Sequence, residues 1–128
     1  MKPEAARFLD KAAVCLAKAD DMLARWPDEA GRAAYLAGLH AAQAFIADRT
    51  DSVARSHRGV QRELARLTKD DPTFDLNLRA FLGHAYNLKA IADYETGPGS
   101  EVSPEQAANA IKDGKRFVAR MREMIETA

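Results

Sequence analysis

One cysteine, Cys15, stands among 128 residues, so no intrachain disulfide is possible and Cys15 reads as a small buried hydrophobe. Net charge is also missing: 19 Lys and Arg balance 19 Asp and Glu. That balance argues against a broad basic surface for non-specific duplex binding, and leaves open a local basic site formed in an oligomer. No apolar run approaches the roughly 18 residues needed to cross a bilayer. Met1-Lys2-Pro3-Glu4 leads into a mixed polar and apolar run rather than a signal peptide, so a cytoplasmic protein is expected. The three histidines, His40, His57 and His84, fall on three different helices, and no pair has the three- or four-residue spacing of helical metal ligands. No metal or cofactor is therefore expected. The phosphate-cradling loop GxxxxGK, the dinucleotide motif GxGxxG and the hydrolase motif GxSxG are absent as well.

What is present is helix-forming sequence. Hydrophobic residues make up 47% and charged residues 30%, and Ala, Leu, Arg, Lys, Glu and Asp dominate. One domain, residues 1–128, is long enough to bury a core without staples. The first helix is expected from about Pro3 to Arg25, with Ala5, Phe8, Leu9, Ala12, Leu16, Ala19, Met22 and Leu23 on one stripe and Trp26-Pro27 as its stop. The second should run from about Asp28, as N-cap, to Asp48. It is alanine-rich, and Gly38 should let a neighbouring backbone approach. A short third helix is expected from about Val53 or Arg55 to Leu67. A turn at Asp70-Asp71-Pro72 should follow it.

The fourth helix is expected from about Phe74 to Glu95, burying Phe74, Leu78, Phe81, Leu82, Ala85, Leu88 and Ala92. Gly97-Pro98-Gly99-Ser100 should break it. Ser103-Pro104-Glu105-Gln106 then opens the fifth helix with a capping box: serine at N-cap, proline at N1, glutamine at N3. It should reach about Glu126, with Ile111, Val118, Met121 and Ile125 inward. No internal repeat is present. The expectation is all-α: an antiparallel up-and-down bundle of four long helices and one short one.

Three stretches carry the functional reading: Tyr35-Leu36-Ala37-Gly38-Leu39-His40-Ala41-Ala42, Ser56-His57-Arg58-Gly59-Val60, and Leu88-Lys89-Ala90-Ile91-Ala92-Asp93-Tyr94. In this order and spacing they resemble the HEPN family, small all-helical proteins that often act on RNA or nucleotides. The likeness spans nearly the whole chain from Tyr35. Leu36 and Leu39 stand where the family has aromatic residues, and Lys89 where it has arginine.

The resemblance implies a HEPN-like bundle, a homodimer, and pairing with a minimal nucleotidyltransferase as antitoxin. It also implies RNA or a nucleotide as ligand. Many HEPN ribonucleases carry arginine and, a few residues later, histidine on the penultimate long helix. The toxin members extend this to Arg-x4-His-x-Tyr, and Arg79, His84 and Tyr86 match it literally. The implied chemistry is metal-free RNA cleavage. Histidine would serve as general acid or base and arginine would offset charge on the scissile phosphate. Aligning Asp93-Tyr94 on the family's Asp-Tyr gives a second register, about ten residues later, with Lys89, Asp93 and Tyr94 in place of Arg79, His84 and Tyr86. Asp93 is no general acid at neutral pH. Helical geometry puts Arg79, Tyr86 and Asp93 on one stripe and His84 on the opposite edge of the apolar face.

Two functions therefore stand open: a metal-independent endoribonuclease, as a toxin component, and a non-catalytic module binding nucleotide or a partner nucleotidyltransferase. His57, beside Arg55 and Arg58, could contact phosphate or cap a helix. Arg116 and Arg120, with Lys112 at the same four-residue steps, are candidate phosphate contacts. His40 reads as buried and hydrogen-bonded. Tyr35 and Tyr94 read as packing residues whose hydroxyls find partners. Arg62, Arg66 and Lys69, interrupted by Glu63, read as a solvated face.

Overall fold

The computed structural model describes residues 1–97 and 101–127, and among these every regular element is a helix. They are α1 (Pro3–Met22), α2 (Pro27–Thr50), α3 (His57–Thr68), α4 (Leu76–Tyr94) and α5 (Pro104–Glu126). No helix is long and apolar enough to cross a membrane among the described residues. Residues 98–100 of the expected Gly97–Ser100 break lie outside the described residues.

Local chemistry sets the helix ends. Ser103 Oγ accepts from the Gln106 N–H at 3.0 Å, and Gln106 Oε1 accepts from the Ser103 N–H at 2.9 Å, completing the expected capping box. Ser56 caps α3 by accepting from the Gly59 N–H. Asp75 caps α4 by accepting from the Leu78 N–H, so α4 starts two residues later than expected from Phe74. Asp28 is not the cap of α2. Trp26 holds that position and Pro27 is the first helical residue, where its fixed φ and missing N–H suit it. The α1 helix closes early, at Met22, because the N–H groups of Arg25 and Trp26 both turn back onto the Met22 carbonyl.

The buried stripe of each helix decides what it packs on. Nearly every face of α2 is buried, and it packs against all four other helices. Phe81 stacks on Phe117 at 5.0 Å between ring centroids, and Phe74 meets Phe117 edge-on at 6.3 Å. Phe45, Ile46, Leu9, Leu82 and Met121 fill the rest of the centre. Gly38 admits a side chain rather than a neighbouring backbone, since the space its Cβ would take holds the Phe81 ring and Leu82. The close backbone approach is at Gly114, where the Ala34 carbonyl lies 3.6 Å from the place of a Cβ.

Direction follows from paired residues. Lys2 reaches Asp51, Arg32 reaches Asp93 and Arg116 reaches Asp75, so the four long helices alternate in direction along the chain. The short helix departs from the up-and-down pattern. Asp51 adopts a left-handed φ of 58° at the end of α2, and the following residues run back along it, where Gln43 Nε2 donates to the Ala54 carbonyl at 2.9 Å. Helix α3 therefore starts beside Tyr35, in the first half of α2, and runs parallel to α2 and antiparallel to α4.

Candidate functional site

At the seam of α2, α3 and α4, three rings converge. Tyr35 is buried on α2, and its hydroxyl lies 2.9 Å from Nδ1 of His57, the first residue of α3. The His57 ring stacks on Tyr86 of α4 at 4.1 Å, and Tyr35 meets Tyr86 edge-on at 5.5 Å. Burial pushes the Tyr35 phenol up to about 12. The His57 imidazole is held below its ordinary value, first by burial and then by the nearby Lys89 ammonium. At neutral pH this is an uncharged, hydrogen-bonded pair.

A charged chain continues from the rings. Tyr86, Lys89 and Asp93 occupy one face of α4, at three- and four-residue steps. The Lys89 ammonium lies 5.7 Å from the Tyr86 ring centre and 5.5 Å from that of Tyr94. It pairs with Asp93 at 2.8 Å. Arg32 of α2 donates to the same carboxylate through Nε at 2.8 Å and to Glu29 at 2.7 Å. Asp93 is consequently held below the usual carboxylate range, chiefly by its hydrogen bond from Lys89. Lys89 is raised by the same bond.

The sequence-predicted residues divide between two faces of α4. Arg79 does not approach a reaction centre. Its Nη2 donates to the carbonyls of Thr68 at 2.8 Å and Asp71 at 3.0 Å, closing the C-terminus of α3, and its guanidinium lies 5.1 Å from the Phe74 ring centre. His84 is exposed on the other side. It lines a groove of about 380 Å³ between α4 and α5 with Asn77, Phe81, Leu88, Asn109 and Asp113. Tyr86 turns into the His57 cluster instead. The Arg79–His84–Tyr86 motif is thus split over three environments. The second register, Lys89 and Asp93 with Tyr94 alongside, is the one that comes together.

The other candidates are placed as follows. Arg116 is bound to Asp75 at the start of α4, and Arg120 to Glu123 at 2.6 Å and to Thr73. Both anchor the α3–α4 connection, and Arg120 Nε is buried without a hydrogen-bond partner among the described residues. His40 is half-buried rather than buried, with Nδ1 2.9 Å from Gln43 Oε1 and its ring stacked over Phe8. Tyr94 is 71% exposed, because its position carries it past the end of the core. Cys15 is half-buried, and burial raises its thiol.

Arg32 and Glu29 were not singled out from the sequence. The signal was there: Glu29, Arg32 and Tyr35 recur every three residues, one face of α2. Their partner on α4 is a tertiary fact. No family model matches the chain, and no curated protein matches it.

Proposed function

We propose that the chain is a non-catalytic, HEPN-type binding module that recognises a nucleotide or a partner nucleotidyltransferase. One observation carries this reading. In the second register, the one whose residues come together, Asp93 falls where the ribonucleases of the family it resembles carry histidine, and it is held as a carboxylate by Lys89 and Arg32. A carboxylate so paired neither takes nor gives a proton near pH 7. The stacked His57 and Tyr86 rings beside it, half-buried and neutral, lie next to a lysine, which suits a base and its phosphate. Titration of the protein with nucleoside mono-, di- and triphosphates, read by His57 and Tyr86 chemical shifts, tests the ligand. Co-purification with a small nucleotidyltransferase encoded next to it tests the partner. Silence in both contradicts the proposal.

A second reading, a metal-independent endoribonuclease acting as the toxin of a toxin–antitoxin pair, draws on the accessible His84 imidazole in its groove. It requires Arg79 to leave the carbonyls of Thr68 and Asp71, or a second copy to supply the missing cation.

The same proposal includes a homodimer through α4. Leu76, Ala80, Gly83, Asn87, Ala90 and Tyr94 follow one another at alternating four- and three-residue steps, uncharged and at least partly exposed. The order reads the same in both directions, so an antiparallel pair would set Leu76 against Tyr94 of the second copy. Light scattering at micromolar concentration should give twice 14.0 kDa; a clean monomer contradicts the pairing.

A further inference from the structure

The zero net charge of the chain conceals a strong local imbalance. Residues 55–69 hold five cations, Arg55, Arg58, Arg62, Arg66 and Lys69, against one carboxylate, Glu63. The remainder of the chain is correspondingly acid-rich. All five cations are exposed. The buried face of α3 is set by Val60, Leu64 and Thr68, which fixes the helix rotation and turns the basic residues outward. At about 100° per residue, Arg58, Arg62, Arg66 and Lys69 fall within an arc of roughly 80° and span roughly 16 Å along the axis. Arg55 precedes the helix and lies against α1, lining a pocket with Glu4, Phe8 and Asp10.

Four of the five are also free of ion pairs among the described residues, in contrast to the basic residues at the His57 cluster and around the α3–α4 connection. Arg32, Arg79, Arg116, Arg120 and Lys89 are each bound to a carboxylate or to carbonyls. Arg66 pairs with Glu63 at 2.8 Å. Among the described residues Arg55, Arg58, Arg62 and Lys69 make no ion pair. A solvated helix face in a neutral protein ordinarily alternates its charges, as α1 does with Glu4, Arg7, Asp10 and Lys11.

We propose that the outer face of α3 is a binding surface for the phosphodiester backbone of a single-stranded nucleic acid. Four-residue steps on a helix rise about 6 Å, so Arg58, Arg62 and Arg66 form a linear row of guanidiniums, each able to fork onto a phosphate. The row is one side chain wide, and the rest of the chain carries a net negative charge. A duplex, whose two strands demand a broad basic surface, is disfavoured there; a single strand can follow the row. The row begins one residue after His57 but faces outward from the bundle, and it does not depend on nucleotide binding at the His57 cluster.

The test is fluorescence anisotropy of a labelled single-stranded oligonucleotide, titrated with the intact protein at several salt concentrations. With four helix cations engaged, affinity should fall about 50-fold between 50 and 200 mM salt, at about 0.7 decades per decade of salt for each phosphate contact. The triple substitution Arg58→Gln, Arg62→Gln, Arg66→Gln should flatten that dependence to about threefold. Its thermal melt should match the parent, since all three side chains are solvent-exposed. Arg25→Gln, an exposed arginine in the turn after α1, should change neither quantity. Undiminished salt dependence in the triple variant, absence of binding by the parent, or equal affinity for a duplex or for anionic lipid vesicles would each overturn the assignment.

Discussion

The Tyr35 hydroxyl lies 2.9 Å from Nδ1 of His57, and this one hydrogen bond joins the middle of the bundle to the start of the short helix. Its position explains two otherwise separate features. The chain reverses at Asp51 so that α3 can begin at this level of α2, and Tyr86 of α4 closes over the pair by stacking on His57.

The first prediction concerns this imidazole. Its folded-state pKa lies below the ordinary histidine value, so the folded state prefers it neutral. The stability it contributes is present above about pH 6.5 and is lost as pH falls through the lowered folded value. Nuclear magnetic resonance should place the His57 midpoint below that of an exposed histidine. Lys89→Ala should raise it, since the ammonium is one of its two causes. A His57 midpoint at or above the ordinary value would contradict the buried, neutral assignment.

The phenol partner makes a second pH window. Tyr35 is raised to about 12 from its ordinary value near 10, so the folded state favours the protonated phenol. The associated stability is complete below about pH 10 and is lost as pH rises towards 12. Tyr35→Phe should abolish that alkaline component. It should also cost about 1 kcal/mol at pH 7, read from denaturant unfolding, because the His57 nitrogen loses its partner.

Packing gives the third. A Cβ at Gly38 would enter the Phe81 ring, which is stacked against Phe117 and cannot withdraw freely. Gly38→Ala should therefore destabilise by about 1–3 kcal/mol despite the higher helix propensity of alanine. A stabilised variant would mean that Phe81 has another place to go.

At the start of α4, Asp75 caps the helix and binds Arg116, and these contacts, the latter first, hold its carboxyl down to about 2. Its contribution is present above about pH 4 and should be lost as pH falls towards 2. Asp75→Asn should remove this part of the acid dependence while keeping much of the cap. An unchanged acid profile would show that the pair is absent in solution.

Much of the fold was legible because its signals are local. The Ser103–Gln106 capping box and the Ile111, Val118, Met121 and Ile125 stripe appear where the sequence places them. So do the buried positions Leu78, Phe81, Leu82 and Ala85 of α4. The parallel course of α3 was not legible, because it depends on a non-glycine residue taking a left-handed φ at Asp51 and on Gln43 holding the returning strand of chain. At the site, helical geometry separated His84 from the stripe of Arg79, Tyr86 and Asp93, and that separation stands. What Arg79 does with its donors could not be read from spacing, since its acceptors are carbonyls at the end of another helix. The pairing of Arg32 with Asp93 spans 61 residues and leaves no local trace.

The most direct measurement is a time course of end-labelled RNA incubated with the purified protein, with and without EDTA, alongside Arg79→Ala, His84→Ala and Asp93→Asn. A binding module predicts no cleavage above the buffer control in any of the four proteins. EDTA-resistant cleavage by the parent, lost by the roughly 10²–10⁴-fold typical of a missing general acid or base in a His84→Ala variant that still folds, would contradict it.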